Sequence, residues 1–359
     1  MHPAGNTRTR IQGLDLLRGA AILLVLLRHS WPEYFGGGGI VGVVAFFTLS
    51  GYLITGLLAS DVRRFGRIRY ARFYRNRAIR LVPALLFLLL GFTIAEGVFN
   101  VSGTRDQVLR SVLTSLTYTM NIPGFNHGST NLNHLWTLAN EEQFYILWPV
   151  LIVIGIRFRK LRLIVALAAA ALILATVFTL VLTFPDIGKI YSRPTTWTIS
   201  MVIGAAAQLG ADPLSRVLQG RRAIVGAGLG CGGLLFLTFL PDAKDNILMY
   251  LLGGPIIGLC TVLVIWKVRD WGVVPAPARP LVWLGIVSYA AYLWNYPVSW
   301  WLMDGGFGAG WQFAAIALTL MAAVVSWFLV ETPFNRLRAR FEATTRQKAV
   351  PPKLSTPAI

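Results

Sequence analysis

Apolar segments of about 20 residues recur along this chain, and each has the length that a helix needs to cross a bilayer. Only 13% of the 359 residues are charged and 55% are hydrophobic, whereas water-soluble domains average about 25% charged residues. A soluble fold is therefore excluded, and we expect an all-α polytopic membrane protein, a bundle of about ten transmembrane helices. The predicted spans are 12–30, 40–59, 79–98, 136–156, 162–183, 194–210, 222–240, 246–267, 281–303 and 311–331.

The basic residues lie mostly in alternate connecting loops. Ten crossings place both termini on one side, and the segments on that side carry 26 Lys and Arg, against 5 on the other side. Because cytoplasmic loops retain Lys and Arg, we expect cytoplasmic termini in the inner (cytoplasmic) membrane. The net charge of +18 then records orientation, so we expect membrane lipid and no nucleic acid as a partner.

Residues 1–333 are predicted to form the membrane domain, and residues 334–359 a basic, disordered cytoplasmic tail. Cys231 and Cys260 lie in apolar runs without metal-ligand spacing, so neither a disulfide framework nor a metal site is expected. No esterase-type domain follows the last span, and we expect the membrane part to complete any transfer or to hand the group to a separate protein. The sequence predicts no oligomeric state.

The first span holds four ionisable residues, Asp15, Arg18, Arg28 and His29. Each costs about 2.5–3.5 kcal/mol to insert, so such residues normally face the bundle interior and serve function. At 100° per residue, Arg18 and His29 share one helix face at a separation of about 16 Å, and Asp15 can pair with Arg18. The alternative is that Arg18 snorkels to lipid headgroups and that His29 lies at the interface.

A second polar cluster opens the fourth span and contains His134, Trp136, Glu141, Glu142 and Tyr145. Two adjacent carboxylates beside these rings exceed what an interface anchor requires, although an aromatic belt with headgroup-level acids remains the alternative. Because neighbouring helical positions point about 100° apart, we expect only one of the two glutamates to face any given site.

The loop 63–80 contains eight arginines and no lysine. Guanidinium groups bind phosphate in a bidentate manner, whereas attraction to anionic lipid is the alternative explanation. Arg75, Arg77 and Arg80 directly precede a span and are the arginines expected to face the bundle. In the second span, Ser50-Gly51 permits close approach of another helix.

In their order, these segments resemble the acyltransferase-3 family of membrane acyltransferases. The matching stretches are Gly13 to Gly19 with His29, Val44 to Ile54, Arg72 to Pro83, His134 to Pro149, Ser288 to Pro297 and Glu331-Thr332-Pro333. The resemblance implies transfer of an acyl group, most often acetyl, from acyl-coenzyme A to a hydroxyl of a carbohydrate, commonly a cell-envelope glycan or glycolipid. Acyl-CoA is then a donor substrate, and no permanently bound cofactor is expected.

The resemblance also assigns roles to residues. It makes Arg18 and His29 essential, Glu141 or Glu142 the acid of the fourth span, and Arg75, Arg77 and Arg80 the coenzyme-binding residues. The family often has His where this chain has Asn295, which cannot take a proton, so Asn295 is expected to be an acceptor-side or structural residue. The residues expected to contact substrate are Asp15, Ser50, His134, Trp136, Tyr145 and Asn295.

For the chemistry, we expect His29 to act as a general base or, alternatively, as a transient acyl carrier. Arg18 is expected to hold the carbonyl end or the pyrophosphate of the donor, and Glu141 or Glu142 to orient His29 or bind acceptor hydroxyls. A polar shaft through the bundle then has to bring the donor to His29. The rival function is a transporter or flippase of an envelope lipid or sugar, and a catalytically inactive sensor is a third.

Overall fold

The computed structural model describes residues 11–348, which form helices and connecting loops without a β-strand in that range. Wider, π-helical turns extend or precede three of the α-helices at Thr93–Val98, Met249–Gly253 and Trp327–Glu331. The α-helices of the described residues are α1 (Gln12–Ser30), α2 (Gly38–Phe65), α3 (Tyr70–Phe92), α4 (Val108–Leu116), α5 (Trp136–Arg157), α6 (Leu161–Thr183), α7 (Pro194–Leu209), α8 (Ala211–Val217), α9 (Gly220–Thr238), α10 (Gly254–Val268), α11 (Arg279–Ile286), α12 (Ser288–Asp304), α13 (Trp311–Ser326) and α14 (Thr332–Lys348).

Five helices in the described part of the chain are long and apolar enough to cross a membrane: Gly38–Phe65, Tyr70–Val98, Leu161–Thr183, Met249–Val268 and Trp311–Phe341. Their outward faces are apolar, as expected for contact with lipid, and α6 buries only a small part of its surface inside the protein. The other predicted spans also coincide with helices, but these are shorter or more polar. The all-helical membrane fold is thus confirmed, while the count of ten spans and the sidedness stay predictions.

Helix α2 lies at the centre of the bundle and packs against α1, α7 and α10. The contact with α7 depends on glycine, because a Cβ at Gly51 would lie 1.9 Å from the carbonyl oxygen of Met201 and a Cβ at Gly204 would meet α2 as closely. Gly19 on α1 and Gly285 on α11 approach each other's backbones in the same way. Gly42 on α2 approaches α1 likewise, since a Cβ there would lie 2.4 Å from the Ala21 carbonyl oxygen, and α1 and α2 therefore lie side by side.

Helix α14 covers residues 334–348, where the sequence predicts the beginning of a disordered tail. This helix continues from α13 through the π-helical turn and packs against α3, and such contacts offset the entropy of ordering a polar segment. Residues 1–10 and 349–359, including the remainder of the predicted tail, lie outside the described residues.

Candidate active site

Two cavities lie between α1, α2 and α12. The first, the arginine cavity, has a volume of about 160 Å³, and the second, the histidine cavity, has a volume of about 250 Å³. Polar residues of the arginine cavity are Arg18, Ser50, Arg77, Arg80, Tyr118, Thr137, Glu141, Glu142, Tyr145, Ser288, Tyr289 and Tyr292. The histidine cavity is lined by Arg28, His29, Pro32, Gly36, Gly39, Ile40, Tyr191, Lys244, Tyr296, Ser299, Trp300, Met303 and Trp311.

The two cavities are about one helical turn apart. On α2, Ile40 lines the histidine cavity and Val43 lines the arginine cavity; on α12, Tyr296 and Tyr292 are divided in the same way. Three or four helical residues rise about 4.5–6 Å. The face of α1 that was predicted to carry Arg18 and His29 therefore follows both cavities, with Arg18 at one and His29 at the other.

An ion network centred on Arg77 occupies one wall of the arginine cavity. The guanidinium Nε donates to Glu142 at 2.7 Å, and an Nη contacts Glu141 at 3.4 Å. The guanidinium carbon lies 3.5 Å from the ring centroid of Tyr145, and Ser50 Oγ donates to the other oxygen of Glu141 at 2.8 Å. Arg77 is thus neutralised by protein carboxylates, which leaves it poorly suited to the coenzyme phosphates that the sequence assigned to it.

Both glutamates line the arginine cavity, so the expectation that only one of them faces a given site is wrong. The two side chains leave the helix about 100° apart, but both are long enough to turn their carboxylates toward Arg77, which lies between them. Neither glutamate is the hydrogen-bond partner of the His29 ring, whose Nδ1 contacts Asn295 instead.

The three arginines predicted to bind the coenzyme differ in position. Arg80 lines the arginine cavity together with Arg18, and no carboxylate within the described residues lies within 4 Å of Arg80. Arg18 lies 3.8 Å from Asp15, which confirms the predicted pairing. Arg75 is exposed, lies over the ring of Phe341 on α14 and does not line the cavity.

The His29 ring is oriented by Asn295. His29 Nδ1 lies 2.5 Å from Asn295 Oδ1, and because an amide oxygen can only accept, Nδ1 carries the proton. The lone pair of the neutral ring is therefore on Nε2. His29 itself lines the histidine cavity. Asn295 is fully buried, so the structure gives it a positioning contact to His29 and no direct place in either cavity.

His134 binds a backbone carbonyl that a proline in α12 leaves without its helical donor. Pro297 lies inside α12 and has no N–H, which leaves the carbonyl of Leu293, four residues earlier, without its helical donor. His134 Nε2 donates to that carbonyl at 3.0 Å. The ring of Tyr296 stacks on His134 at 5.1 Å and meets His29 edge-on at 5.2 Å, so His134 supports the wall of the histidine cavity from behind.

Pro149 in α5 acts in the same way. It removes the helical partner of the Tyr145 carbonyl, and Tyr74 Oη donates to this carbonyl at 3.0 Å. The tyrosine that supports Arg77 is thereby tied to α3. Trp136, by contrast, is buried against Phe47 and lines neither cavity, because at the start of α5 its ring packs inward as part of the core.

Sequence reasoning did not single out several residues of the site. Two of them, Lys244 and Tyr191, reach the histidine cavity. Lys244 is the only Lys or Arg of the loop 241–245, and this single cation in a cation-poor group of loops was the available signal. Trp300 and Trp311 contribute aromatic walls from α12 and α13.

Glu96 was missed although it is an ionisable residue near the end of the predicted span 79–98, and that position was the available signal. It lies in the π-helical turn Thr93–Val98 and is fully buried. Trp301 Nε1, Asn131 Nδ2, Thr104 Oγ1 and the Ser102 backbone N–H donate to its carboxylate at 2.8–3.2 Å. The glutamate thereby ties the segment between α3 and α5 to α12, at the residue that follows Trp300 of the histidine cavity.

A family model described as an acyltransferase domain, Acyl_transf_3, matches residues 11–331. O-acetyltransferase OatA of Staphylococcus aureus is 30% identical over 348 residues, covering 91% of this chain and 57% of that protein. A putative peptidoglycan O-acetyltransferase, YrhL of Bacillus subtilis, is 30% identical over 361 residues, covering 90% of this chain and 55% of that protein.

This chain thus spans somewhat more than half the length of these curated relatives. No solved structure matches it. The family match covers the helices that build both cavities, from α1 to the π-helical turn after α13, and the chain therefore belongs to the acyltransferase-3 family.

Proposed function

We propose that this protein is a membrane O-acyltransferase that moves an acyl group, in the simplest case acetyl, from acyl-CoA to a hydroxyl of a carbohydrate or cell-envelope glycan. The protein lies in the cytoplasmic membrane with both termini on the cytoplasmic side. The relatives named O-acetyltransferases support the reaction type, and the loop charges support the orientation. Acyl-CoA, made in the cytoplasm, enters the arginine cavity, and the acceptor enters the histidine cavity.

The observation that carries this proposal is the Nδ1 contact between His29 and Asn295. A neutral ring that donates from Nδ1 to the Asn295 oxygen keeps its lone pair on Nε2, and this supports the role of His29 as the base. The second support is the spacing of the cavities, since about one helical turn separates the arginine cavity from the histidine cavity. In this proposal the long, flexible pantetheine arm of the donor spans the short distance between the two cavities and brings the thioester next to His29, while the phosphates stay in the arginine cavity.

The donor phosphates bind Arg80, which Arg77 leaves without a carboxylate by pairing with Glu141 and Glu142, and Arg18, which lines the same cavity and lies 3.8 Å from Asp15. Of the two roles expected of Arg18, this scheme gives it the pyrophosphate, because the carbonyl end of the donor lies next to His29. The Arg77 network itself shapes the cavity, and breaking it by removing one partner would leave a buried charge uncompensated.

In the reaction, His29 Nε2 takes the proton of the acceptor hydroxyl as its oxygen attacks the thioester carbonyl. The tetrahedral intermediate collapses, the C–S bond breaks, and the thiolate of coenzyme A leaves with the proton from His29. Asn295 keeps the ring in one tautomer through this cycle. Nucleophilic attack by Nε2 itself, with a transient acyl-imidazole, is the variant of the scheme that the same geometry permits.

The deciding experiment is transfer of radiolabel from acetyl-CoA to a glycan by the purified protein in nanodiscs. We expect His29→Ala to abolish transfer, while His127→Ala, in a histidine that lines neither cavity, retains it. Movement of an acceptor across the membrane without label transfer would support the transporter instead. Normal turnover by the His29→Ala protein would overturn the assignment of the base.

The donor site is tested by a matched pair of arginines from the same helix. We expect Arg80→Ala to raise the KM for acetyl-CoA by about tenfold or more, since hydrogen bonds to charged groups contribute about 1.5–3 kcal/mol. Arg75→Ala is the control, because Arg75 lies outside the cavity. Equal KM values for the two variants would remove the phosphate role of Arg80.

A further inference from the structure

The polar lining of the histidine cavity is cationic. Arg28 and Lys244 line it beside His29, and neither Asp nor Glu does. The arginine cavity differs, because two glutamates line it together with its arginines. The histidine cavity thus carries a positive charge that the proposed reaction at His29 does not require.

Both cations are held in place without a carboxylate partner. Arg28 Nε donates to the Gly36 carbonyl at 3.0 Å, which fixes the side chain and leaves its terminal nitrogens without a hydrogen bond to the described residues. The amine of Lys244 lies 4.4 Å from the ring centroid of Tyr191. Among the side chains that the structure describes, no carboxylate oxygen lies within 4 Å of either cation.

A third polar group at the cavity also lacks a partner. Ser299 lines the cavity and is only 6% exposed, and its Oγ makes no hydrogen bond. Buried hydroxyls are normally satisfied, and leaving one without a partner costs about 1–3 kcal/mol. An orphaned donor beside two cations that make no close ion pair indicates a ligand that supplies acceptor oxygens.

The rest of the cavity is aromatic. Tyr296, Trp300 and Trp311 form its walls, and flat rings with a polar edge offer both apolar area and hydrogen bonds. Such walls suit the apolar face of a sugar ring. The aromatic walls and the cations together describe a ligand that is both a saccharide and an anion.

We propose that the acceptor is an anionic saccharide, whose carboxylate or phosphate group binds Arg28, Lys244 and Ser299 while its sugar rings lie against the aromatic walls. This inference rests on the proposed function, since it names the substrate class of the same site. The bound anion compensates the two cations and orients the sugar, so that one hydroxyl lies next to His29 Nε2.

The test compares three ligands that differ in charge: cellotetraose, its C6-oxidised tetraglucuronate, and cellotetraose 1-phosphate. Binding to the intact protein in nanodiscs of zwitterionic lipid is measured by titration calorimetry at pH 7, and transfer of labelled acetyl is measured separately. The variants are Lys244→Ala, Lys244→Arg and Lys244→Glu, with Lys189→Ala as the control. Lys189 lies in another loop on the same predicted side, where it pairs with Asp186.

We expect the wild type to bind an acidic tetramer at least about tenfold more tightly than the neutral one. Lys244→Arg and Lys189→Ala should keep this preference, Lys244→Ala should lose most of it, and Lys244→Glu should abolish it. The tetraglucuronate and the 1-phosphate distinguish a carboxylate from a phosphate as the preferred group.

Equal binding of neutral and acidic tetramers by the wild type would overturn the inference, as would an undiminished preference in Lys244→Glu. The two proposals fail separately. Transfer to neutral glycans without any charge preference would remove the anionic acceptor and keep the acyltransferase. A charge preference that depends on Lys244, without transfer to any glycan, would keep the anion site and remove the proposed function.

Discussion

The contact between Asn295 and His29 offers the sharpest test of the site. Asn295→Ala removes the oxygen that accepts from His29 Nδ1 and leaves the edge-on packing of His29 against Tyr296 in place. The ring then loses the interaction that selects the tautomer with its lone pair on Nε2. Asn295→Asp, in contrast, keeps an accepting oxygen at the same position.

The size of the effect follows from burial. Asn295 is fully buried, and an unsatisfied buried N–H costs about 1–3 kcal/mol. The ring avoids this cost by moving its proton to Nε2, which removes the base. Since about 1.4 kcal/mol corresponds to tenfold in rate, we expect kcat to fall about ten- to hundredfold while the KM for acetyl-CoA, which depends on the other cavity, changes little.

The assay is steady-state transfer of labelled acetyl, with Thr319→Val as the matched control. Thr319 is also fully buried, but its hydroxyl has no partner and lines neither cavity, so its removal should leave kcat unchanged. We expect Asn295→Asp to recover at least part of the lost kcat. A kcat within twofold of wild type for Asn295→Ala, or a loss shared equally by Asn295→Asp, would refute the positioning role.

Three further outcomes are expected. Glu96→Gln should lower the free energy of unfolding by about 2–4 kcal/mol, measured by thermal unfolding in detergent, because an amide group then faces buried donors. Gly51→Ala should disrupt packing and lower the yield of folded protein, because its Cβ would meet the Met201 carbonyl, whereas Ala at the open helical position Gly228 should not. Desolvation of the Lys244 amine among its neighbours, and then repulsion by Arg28, lower the pKa of Lys244 to about 8 against the opposing charge of Asp245. The acceptor KM should therefore rise as pH passes about 8, where the protonated amine is lost, and Lys244→Arg should flatten this rise.

The helical positions of the fold were predictable because lipid imposes a simple rule. A backbone in hydrocarbon must satisfy its own hydrogen bonds, so long apolar runs become helices, and all ten predicted segments coincide with helices here. The helix over residues 334–348 was not predicted, since it depends on packing against α3. A polar segment without an apolar run has no local signal for such a contact.

Site residues were predictable where an ionisable side chain is costly to insert into the membrane. They were not predictable where their role depends on a partner from another helix. Arg18 and His29 stand out because ionisable residues inside a span are expensive, and the face that they share follows both cavities. Spacing along one helix does not reveal that Arg77 forms ion pairs with Glu141 and Glu142. Which arginine of a basic loop stays available depends on α5, a separate helix.

The two prolines show how sequence and tertiary contacts combine in this site. A proline inside a membrane helix leaves the carbonyl four residues earlier without its helical donor. The sequence positions of Pro149 and Pro297 alone therefore predict that the carbonyls of Tyr145 and Leu293 lack a helical partner. In hydrocarbon those carbonyls need a partner from a neighbouring helix or from water, and Tyr74 and His134 are the partners. Tyr145 lines the arginine cavity, and Leu293 belongs to α12, which contributes residues to both cavities. The carbonyls that the prolines free therefore tie α5 to α3 and α12 to His134 beside these cavities, which gives a physical reason for a helix-breaking residue inside each of these spans.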